Sequence, residues 1–373
     1  MGNSQDSLFS SVNAELAEGS GSGDSFLYLL LEEAPAWNLN LKIGNTGTQI
    51  SNERGQNQGT IALQNQNLTG VGDEWMFAYQ TTGVSDFFQT RYSIPLGGRH
   101  RLFAEYRNNE FVSNLDFVEV AFFSDTVSVG YEFDVINRVS EQLIFGVNFD
   151  WINSGTFLNG ERFPFNLGTF ESDGQMRLRV LRLEGRYLQR NDESILLARS
   201  RLSVGLDWFE ATNNEIGIDG ELVSVLGELQ YIVKVSDDWR LSGRGLVQLS
   251  PDALLPVEQF SIGGINSVRG FTTSARSGDQ GIFTSFQGEW EATEKLTVQL
   301  FWDWGRVSNN EIDLEGINRD VVTPSILSSV GVGVNYSLLE SLVLRANLAA
   351  PITSDREEIA QPFMVEIHYK LQF

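Results

Sequence analysis

The sequence predicts an all-β protein: a sixteen-stranded antiparallel transmembrane β-barrel with a long extracellular loop folded into its lumen. Three observations lead there. In the final eleven residues, Phe363, Val365, Ile367, Tyr369, Leu371 and Phe373 alternate with Met364, Glu366, His368, Lys370 and Gln372, so that only Met364 departs from a strict apolar-polar pattern. Successive strand side chains point to opposite faces, which gives this segment one apolar and one polar face over about 36 Å. A strand ending on an exposed aromatic invites aggregation in water, yet suits a wall that faces lipid. The same two-residue period recurs from Trp37 onward between Gly, Asn, Asp and Ser turns. No apolar run approaches the roughly 20 residues of a membrane helix, the longest being Phe26 to Leu31. A closed barrel satisfies every backbone amide in lipid with alternating strands of only about 9 to 11 residues.

In chain order, residues 1–36 come first and stand apart. Ser7 to Leu16, a glycine-serine turn at Gly19 to Gly23, Ser25 to Glu33 and then Pro35 read as a hairpin outside the barrel. Residues 37–373 form the barrel. Its outer face begins with Trp37, Leu39, Leu41 and Ile43, followed by Trp75, Phe77 and Tyr79, and by Leu143, Phe145, Val147, Phe149 and Trp151. It continues through Leu202, Val204, Leu206 and Trp208; Leu229, Tyr231, Val233 and Val235; Leu296, Val298, Leu300, Trp302 and Trp304; and Val330, Val332, Val334 and Tyr336. Seventeen candidate strands emerge, whereas single-chain barrels usually have an even number. The suspect is Phe117 to Val135, where two segments meet out of phase near Ser124 and Asp125. Read as one strand with a bulge there, the total becomes sixteen, at about 21 residues per strand and turn. Trp37, Trp75, Trp151, Trp208, Trp239 and Trp290 are candidates for interfacial girdles. The alternative is a water-soluble sandwich or propeller, against which stands the aromatic face of so many consecutive strands.

Composition excludes several functions. With 26 Lys and Arg against 49 Asp and Glu, the formal net charge is -23, which disfavours nucleic acid as a partner. The absence of Cys removes disulfides, thiolate metal sites and cysteine nucleophiles. His100 and His368 are the only histidines, no Gly-x-Ser-x-Gly elbow occurs, and neither metal nor cofactor is expected. The chain is not read as an enzyme. Met1-Gly2-Asn3-Ser4-Gln5-Asp6 does not begin a secretory signal, so a mature, truncated or engineered fragment is expected.

Pro251 to Ser277 interrupts the strand rhythm with a connection long enough to be functional. Within it lies Phe260-Ser261-Ile262-Gly263-Gly264-Ile265-Asn266-Ser267-Val268-Arg269-Gly270-Phe271. Glycines 263, 264 and 270 permit backbone turns that a Cβ forbids, and they bracket Arg269. Thirteen extended residues reach about 43 Å, enough to descend most of a barrel about 30 Å tall. Two strands later, Leu300, Trp302 and Trp304 take the apolar face, so Phe301, Asp303 and Gly305 face inward, where Asp303 can meet Arg269.

In these segments the chain resembles the two-partner secretion transporters, or haemolysin secretion and activation proteins, of the outer-membrane superfamily that includes barrel-assembly insertases. The resemblance rests on Gly263-Gly264, Val268-Arg269-Gly270-Phe271, Gly278-Asp279 and Phe301-x-Asp303-x-Gly305. It extends to Asn45-Thr46-Gly47, Asn67-Leu68-x-Gly70-x-Gly72-Asp73, Pro95-Leu96, Gly331-Val332-Gly333 and Ala350-Pro351. It implies a sixth extracellular loop folded into the pore and latched by Arg269 on Asp303, the structural alternative being that the pair only stabilises the barrel. It implies export of a large unfolded client polypeptide by a monomer in outer-membrane lipid. Tyr369, Leu371 and Phe373 are then the signal read by the barrel-assembly machinery. Residues 1–36 look like the last hairpin of a polypeptide-transport-associated domain, two of which normally precede such barrels. The rival functions are a passive porin and an outer-membrane insertase.

Arg177, Arg179, Arg182 and Arg186 form a second feature, near Arg199 and Arg201. With one bulge between Arg179 and Arg182 they line the inner face as a cationic track for an unfolded client. Otherwise they pair with inward carboxylates or lie above the membrane.

Overall fold

The computed structural model describes residues 9–18, 25–33, 35–47, 56–115, 118–165, 174–213, 218–310, 313–314, 317–318, 325–353 and 360–373. Phe9–Glu18 and Ser25–Glu33 pair antiparallel as a separate two-stranded sheet. The expected turn at Gly19 to Gly23 lies outside the described residues.

Sixteen strands close the barrel. They are β1 (Trp37–Gly44), β2 (Gln58–Asn65), β3 (Glu74–Thr81), β4 (Ser85–Gly97), β5 (His100–Leu115), β6 (Val118–Asn137), β7 (Glu141–Leu158) and β8 (Gln175–Arg190). The circuit continues with β9 (Ser194–Gly205), β10 (Val223–Lys234), β11 (Trp239–Leu249), β12 (Gln280–Thr293), β13 (Leu296–Ser308), β14 (Ser325–Leu339), β15 (Leu342–Thr353) and β16 (Phe363–Gln372). Each pairs antiparallel with its chain neighbours, and β16 closes on β1. A two-residue strand, Glu161–Arg162, folds back on β7. At the end that holds Trp37 and Phe373 most connections are turns of two to four residues, such as 98–99, 138–140 and 235–238, which marks it as the periplasmic end of such a barrel.

Side-chain period two organises the wall. On β13 the outward Leu300 and Trp302 are exposed while Phe301, Asp303, Gly305 and Val307 are buried, and on β6 Val127 and Val129 are exposed while Thr126, Ser128 and Glu132 are buried. Trp37 meets Trp75 and Phe373, and Trp239 stacks on Trp290, all at the periplasmic ends of their strands. The opposite boundary carries Phe149 and Trp151 against Trp208 and Phe209. The tryptophans therefore mark two levels. Leu206 and Trp208 are not strand residues, since β9 ends at Gly205.

Residues 118–137 form one strand, as the even count requires, but the bulge expected at Ser124-Asp125 does not exist. Ser124 and Asp125 pair in unbroken register with Asn109 and Asn108, and the irregularity lies between Asp134 and Ile136. The apparent phase slip is chemical. Below Thr126 the outer face is apolar; above it the outer face carries Asp125, which accepts hydrogen bonds from Tyr106 and Asn108, while Phe122 packs inward on a buried cluster around Ile152 and Leu178. Polarity changes sides where the strand leaves lipid, with no change in backbone register.

The seam between β16 and β1 is paired from Gln372↔Asn38 to Glu366↔Gly44, and Trp37 and Phe373 exchange both backbone hydrogen bonds at 3.0 Å. At its other end the Asn45 amide donates to the Phe363 carbonyl (3.0 Å) and accepts from the Val365 N–H (2.7 Å), while Glu366 takes Lys42 and Thr46. The 67–73 motif builds a periplasmic turn: Asn67 accepts from the Gly72 N–H, and Asp73 accepts from Thr69 and Tyr92. Burial pushes the Asp73 carboxyl up, but these hydrogen bonds outweigh it and hold the group below the ordinary carboxylate value. Strand length is uneven: β1, β2 and β3 have 8 residues each, whereas β6 has 20 and β7 has 18.

Candidate functional site

The connection from β11 to β12, residues 250–279, carries its own hairpin. After a 3-10 turn at Pro256–Glu258, strands Phe260–Ile262 and Arg276–Gly278 pair antiparallel and extend to a tip at 263–271. Gly263, Gly264 and Gly270 hold φ of 111°, 92° and 90°, conformations that strain any residue with a Cβ. The Ser267 hydroxyl bridges the Gly263 N–H (2.7 Å) and carbonyl (3.0 Å), fixing the turn that aims Arg269.

Arg269 and Asp303 meet on the buried face of β13. Nε donates to Oδ2 at 2.8 Å, Nη2 to Oδ1 at 2.9 Å and the Arg269 backbone N–H to Oδ2 at 3.1 Å. Nη1 donates to the Gln287 amide oxygen at 2.9 Å, and Ser285 donates to Asp303 Oδ1 at 2.6 Å. The guanidinium carbon lies 3.5 Å from the centroid of the Phe301 ring. Asp303 is 0% exposed and Arg269 8%. This is a two-pronged, stacked and desolvated ion pair, the geometry that separates a strong pair from a surface one.

The apolar residues around it follow the same register. Phe260, Ile262, Val268 and Phe271 pack with the wall residues Phe283, Val307 and Leu327. Gly305 leaves the space they need, because a Cβ there would stand 3.1 Å from both Ile262 and Val268. Gly270 and Phe271 pair with Gln361 and Ala360 in the β15–β16 connection, and Thr273 donates to the Thr46 carbonyl at 2.9 Å. The tip is thereby fastened to both segments that flank the seam. Asp279 organises the base, accepting from the Leu254 N–H, Gln259 and the Asn310 N–H.

A second anchor, Glu258, is one that sequence reasoning missed. It takes two hydrogen bonds from Arg182, from Nη2 at 2.6 Å and Nη1 at 3.0 Å, while Arg182 Nε donates to Asp150 at 2.7 Å. Nothing in the residue pattern distinguishes Glu258 from the other acids of this acidic chain. Ser285 and Gln287 were legible in principle, since the β12–β13 register sets them opposite Asp303 and Phe301.

The four-arginine series does not share one face. β8 pairs with β7 and β9 without a register shift, so no bulge separates Arg179 from Arg182. Arg182 and Arg186 face inward with Glu184; Arg177 and Arg179 face outward with Leu181 and Leu183. Alternation holds throughout β8, and the cluster in sequence is an accident of two faces meeting. The inward members are engaged by carboxylates: Arg186 by Glu132 at 2.6 Å and Arg182 by Asp150 and Glu258. The nearby Arg201 pairs with Glu184 at 2.9 Å and Arg199 with Glu228 at 3.6 Å. At the C-terminus, Tyr369 and Leu371 take the outward face, and Phe373 stacks on Trp37 at 6.4 Å.

A family model described as haemolysin secretion/activation protein ShlB/FhaC/HecB matches residues 23–336. The outer membrane transporter CdiB of Dickeya dadantii (strain 3937) is 25% identical over 323 residues, covering 81% of this chain and 55% of the relative. The chain thus spans about half the length of that curated relative. CdiB from Escherichia coli superposes with a TM-score of 0.77 at 16% identity, covering 98% of this chain and 69% of that one. For CdiB from Acinetobacter baumannii the TM-score is 0.73 at 16% identity, over 97% and 66%. For BamA from Haemophilus ducreyi lacking POTRA domains 1-3 it is 0.64 at 12% identity, over 99% and 76%. At these identities the structural likeness speaks to the fold.

Proposed function

The chain belongs to the haemolysin secretion/activation protein family (ShlB/FhaC/HecB) and is an outer-membrane β-barrel, and on that premise we propose that it is the pore through which a large unfolded client polypeptide is exported, closed at rest by residues 250–279. The observation that carries this reading is the Arg269–Asp303 pair. It joins a mobile kind of element, a long connection, to a rigid one, the wall, through groups that regain water when exposed. Such a contact holds a loop firmly in the dry state and loses most of its hold once wetted. No nucleotide or cofactor enters the scheme. The energy for movement comes from the client's own transit and folding outside the cell. Tyr369, Leu371 and Phe373 serve insertion by the barrel-assembly machinery, and residues 1–36 act as the last hairpin of a polypeptide-transport-associated domain that hands the client to the barrel.

Export is favoured over insertion of other barrels by the seam, whose pairing runs unbroken from Trp37 to Asn45. An insertase would need that edge available. A passive porin would need no anchored plug.

The test is charge exchange read by single-channel conductance in planar bilayers and by secretion of the client. Asp303→Arg leaves a like-charged pair where about 3–5 kcal/mol rides on correct pairing, so conductance rises and secretion falls. Adding Arg269→Asp recovers part of both. Wild-type-like conductance in Asp303→Arg, or no recovery in the exchange, defeats the latch.

A further inference from the structure

Arg177 and Arg179 are absorbed by neither the latch nor the inner-face ion pairs. They stand on the outward face of β8, and their height can be read from the wall itself. On β7 the outward residues Leu143, Phe145, Val147, Phe149 and Trp151 are apolar and the next, Asn153, is polar; Arg179 pairs in register with Trp151 and Arg177 with Asn153. From Tyr187, opposite Leu143, up to Arg179 the strand climbs about 20 Å at a barrel tilt, and to Arg177 about 25 Å, the height of an outer-membrane apolar band. The two guanidinium groups therefore sit where lipid tails give way to head groups.

The 207–211 excursion covers them. The chain leaves the sheet after Leu206, whose N–H donates to the Arg179 carbonyl, and returns at Thr212, whose N–H donates to the Arg177 carbonyl. Between these points it crosses the outside of β8 and lays Trp208 and Phe209 against Phe149 and Trp151 of β7. Trp208 is 56% exposed and Phe209 65%, and Phe209 and Glu210 hold φ of 49° and 60°. Beneath them Arg179 is only 6% exposed, yet among the described residues no carboxylate pairs with it. Its Nη atoms donate to the Ile152 and Leu178 carbonyls and to the Asn153 side chain, all neutral, and its Nε has no partner. Arg177 is held at 2.6 Å by Glu210, a highly exposed carboxylate on the strained corner. Among the described residues one positive charge is left over, under an aromatic flap continuous with the lipid-facing wall.

We propose that Arg177, Arg179 and the Trp208–Phe209 corner form a binding site for the phosphorylated head group of an outer-leaflet lipid. The phosphate displaces Glu210 from Arg177 and supplies the counter-charge that Arg179 lacks, while Trp208 and Phe209 lie along the acyl region. The inference rests on the outer-membrane location and is independent of export.

Native mass spectrometry of the detergent-solubilised chain titrated with diphosphoryl lipid A, its dephosphorylated counterpart or inorganic phosphate tests it. Diphosphoryl lipid A is retained about tenfold more tightly than the dephosphorylated lipid, and Arg179→Gln removes most of that difference, as expected for loss of a charge-assisted contact. Heat-modifiable gel mobility checks that each variant is folded. Glu210→Gln, on an exposed corner, removes the competing carboxylate and increases retention. Equal retention of the two lipids, unchanged preference in Arg179→Gln, weaker retention in Glu210→Gln, or saturation by inorganic phosphate alone would each overturn the site.

Discussion

Arg269 holds its place through three different kinds of contact, and each comes from a different residue type at a fixed register. Asp303 supplies the charge, Gln287 and Ser285 complete the donors' partners, and Phe301 gives the guanidinium a flat surface. Phe301 is itself positioned by an absence. A Cβ on Gly331 would lie 2.3 Å from the Phe301 ring and 2.4 Å from the Leu348 carbonyl. Gly331→Ala is expected to push that ring against the guanidinium and to cost about 1–3 kcal/mol, the usual penalty for overpacking. Heat-modifiable mobility should show a lowered unfolding midpoint, accompanied by more frequent channel openings. Gly227→Ala is the control, because its nearest neighbour, Val247 Cγ1, lies at an ordinary 3.5 Å. The pairing of Arg269 with Asp303 was readable from alternation and loop reach. Glu258 was not, since a loop acid that finds its partner across the barrel leaves no local trace.

Elements were legible wherever lipid enforces polarity. Strands such as β1, β13 and β16 show their outer face directly, because each alternate side chain must be apolar there. Legibility fails above the membrane. On β6 the rule reverses at Thr126, so a continuous strand looks like two; on β8 the arginines look like one inner row when the backbone sets them on both faces. The seam is the element where a short motif does most. Asn45 extends β1 by one rung using its side-chain amide in place of a backbone, clasping Phe363 and Val365 of β16. Asn45→Ala removes both side-chain bonds; water can replace the one at the exposed Phe363 carbonyl, whereas the partly buried Val365 N–H loses its partner at about 1–3 kcal/mol where water cannot reach it. The compact, detergent-resistant form should unfold at lower temperature, and amide exchange at Val365 should accelerate while the β5–β8 amides stay unchanged. Uniform acceleration around the wall would argue that the seam is not a separate unit.

At the scale of the whole molecule, the two anchors of residues 250–279 have opposite polarity and stand five strands apart, a loop cation on β13's acid and a loop acid on β8's cation. The second anchor ends a chain of alternating inner-face charges that runs from Arg186 through Glu132, Arg91, Glu105, Arg107 and Asp150 to Arg182. If the connection moves as one body, either anchor alone keeps it seated. Glu258→Gln and Arg269→Gln singly should then raise conductance a few-fold, and the double variant should raise it well beyond the product of the two, the signature of coupled sites. Simple multiplication would mean that each end swings independently.

The unequal strands have a directional consequence. At a typical tilt, the 20 residues of β6 rise about 50 Å and the 8 of β1 about 20 Å, so the mouth is cut obliquely. A polypeptide emerging there would pass strand ends on one side roughly 30 Å below those on the other. The wall would release it unevenly, the short strands letting go first.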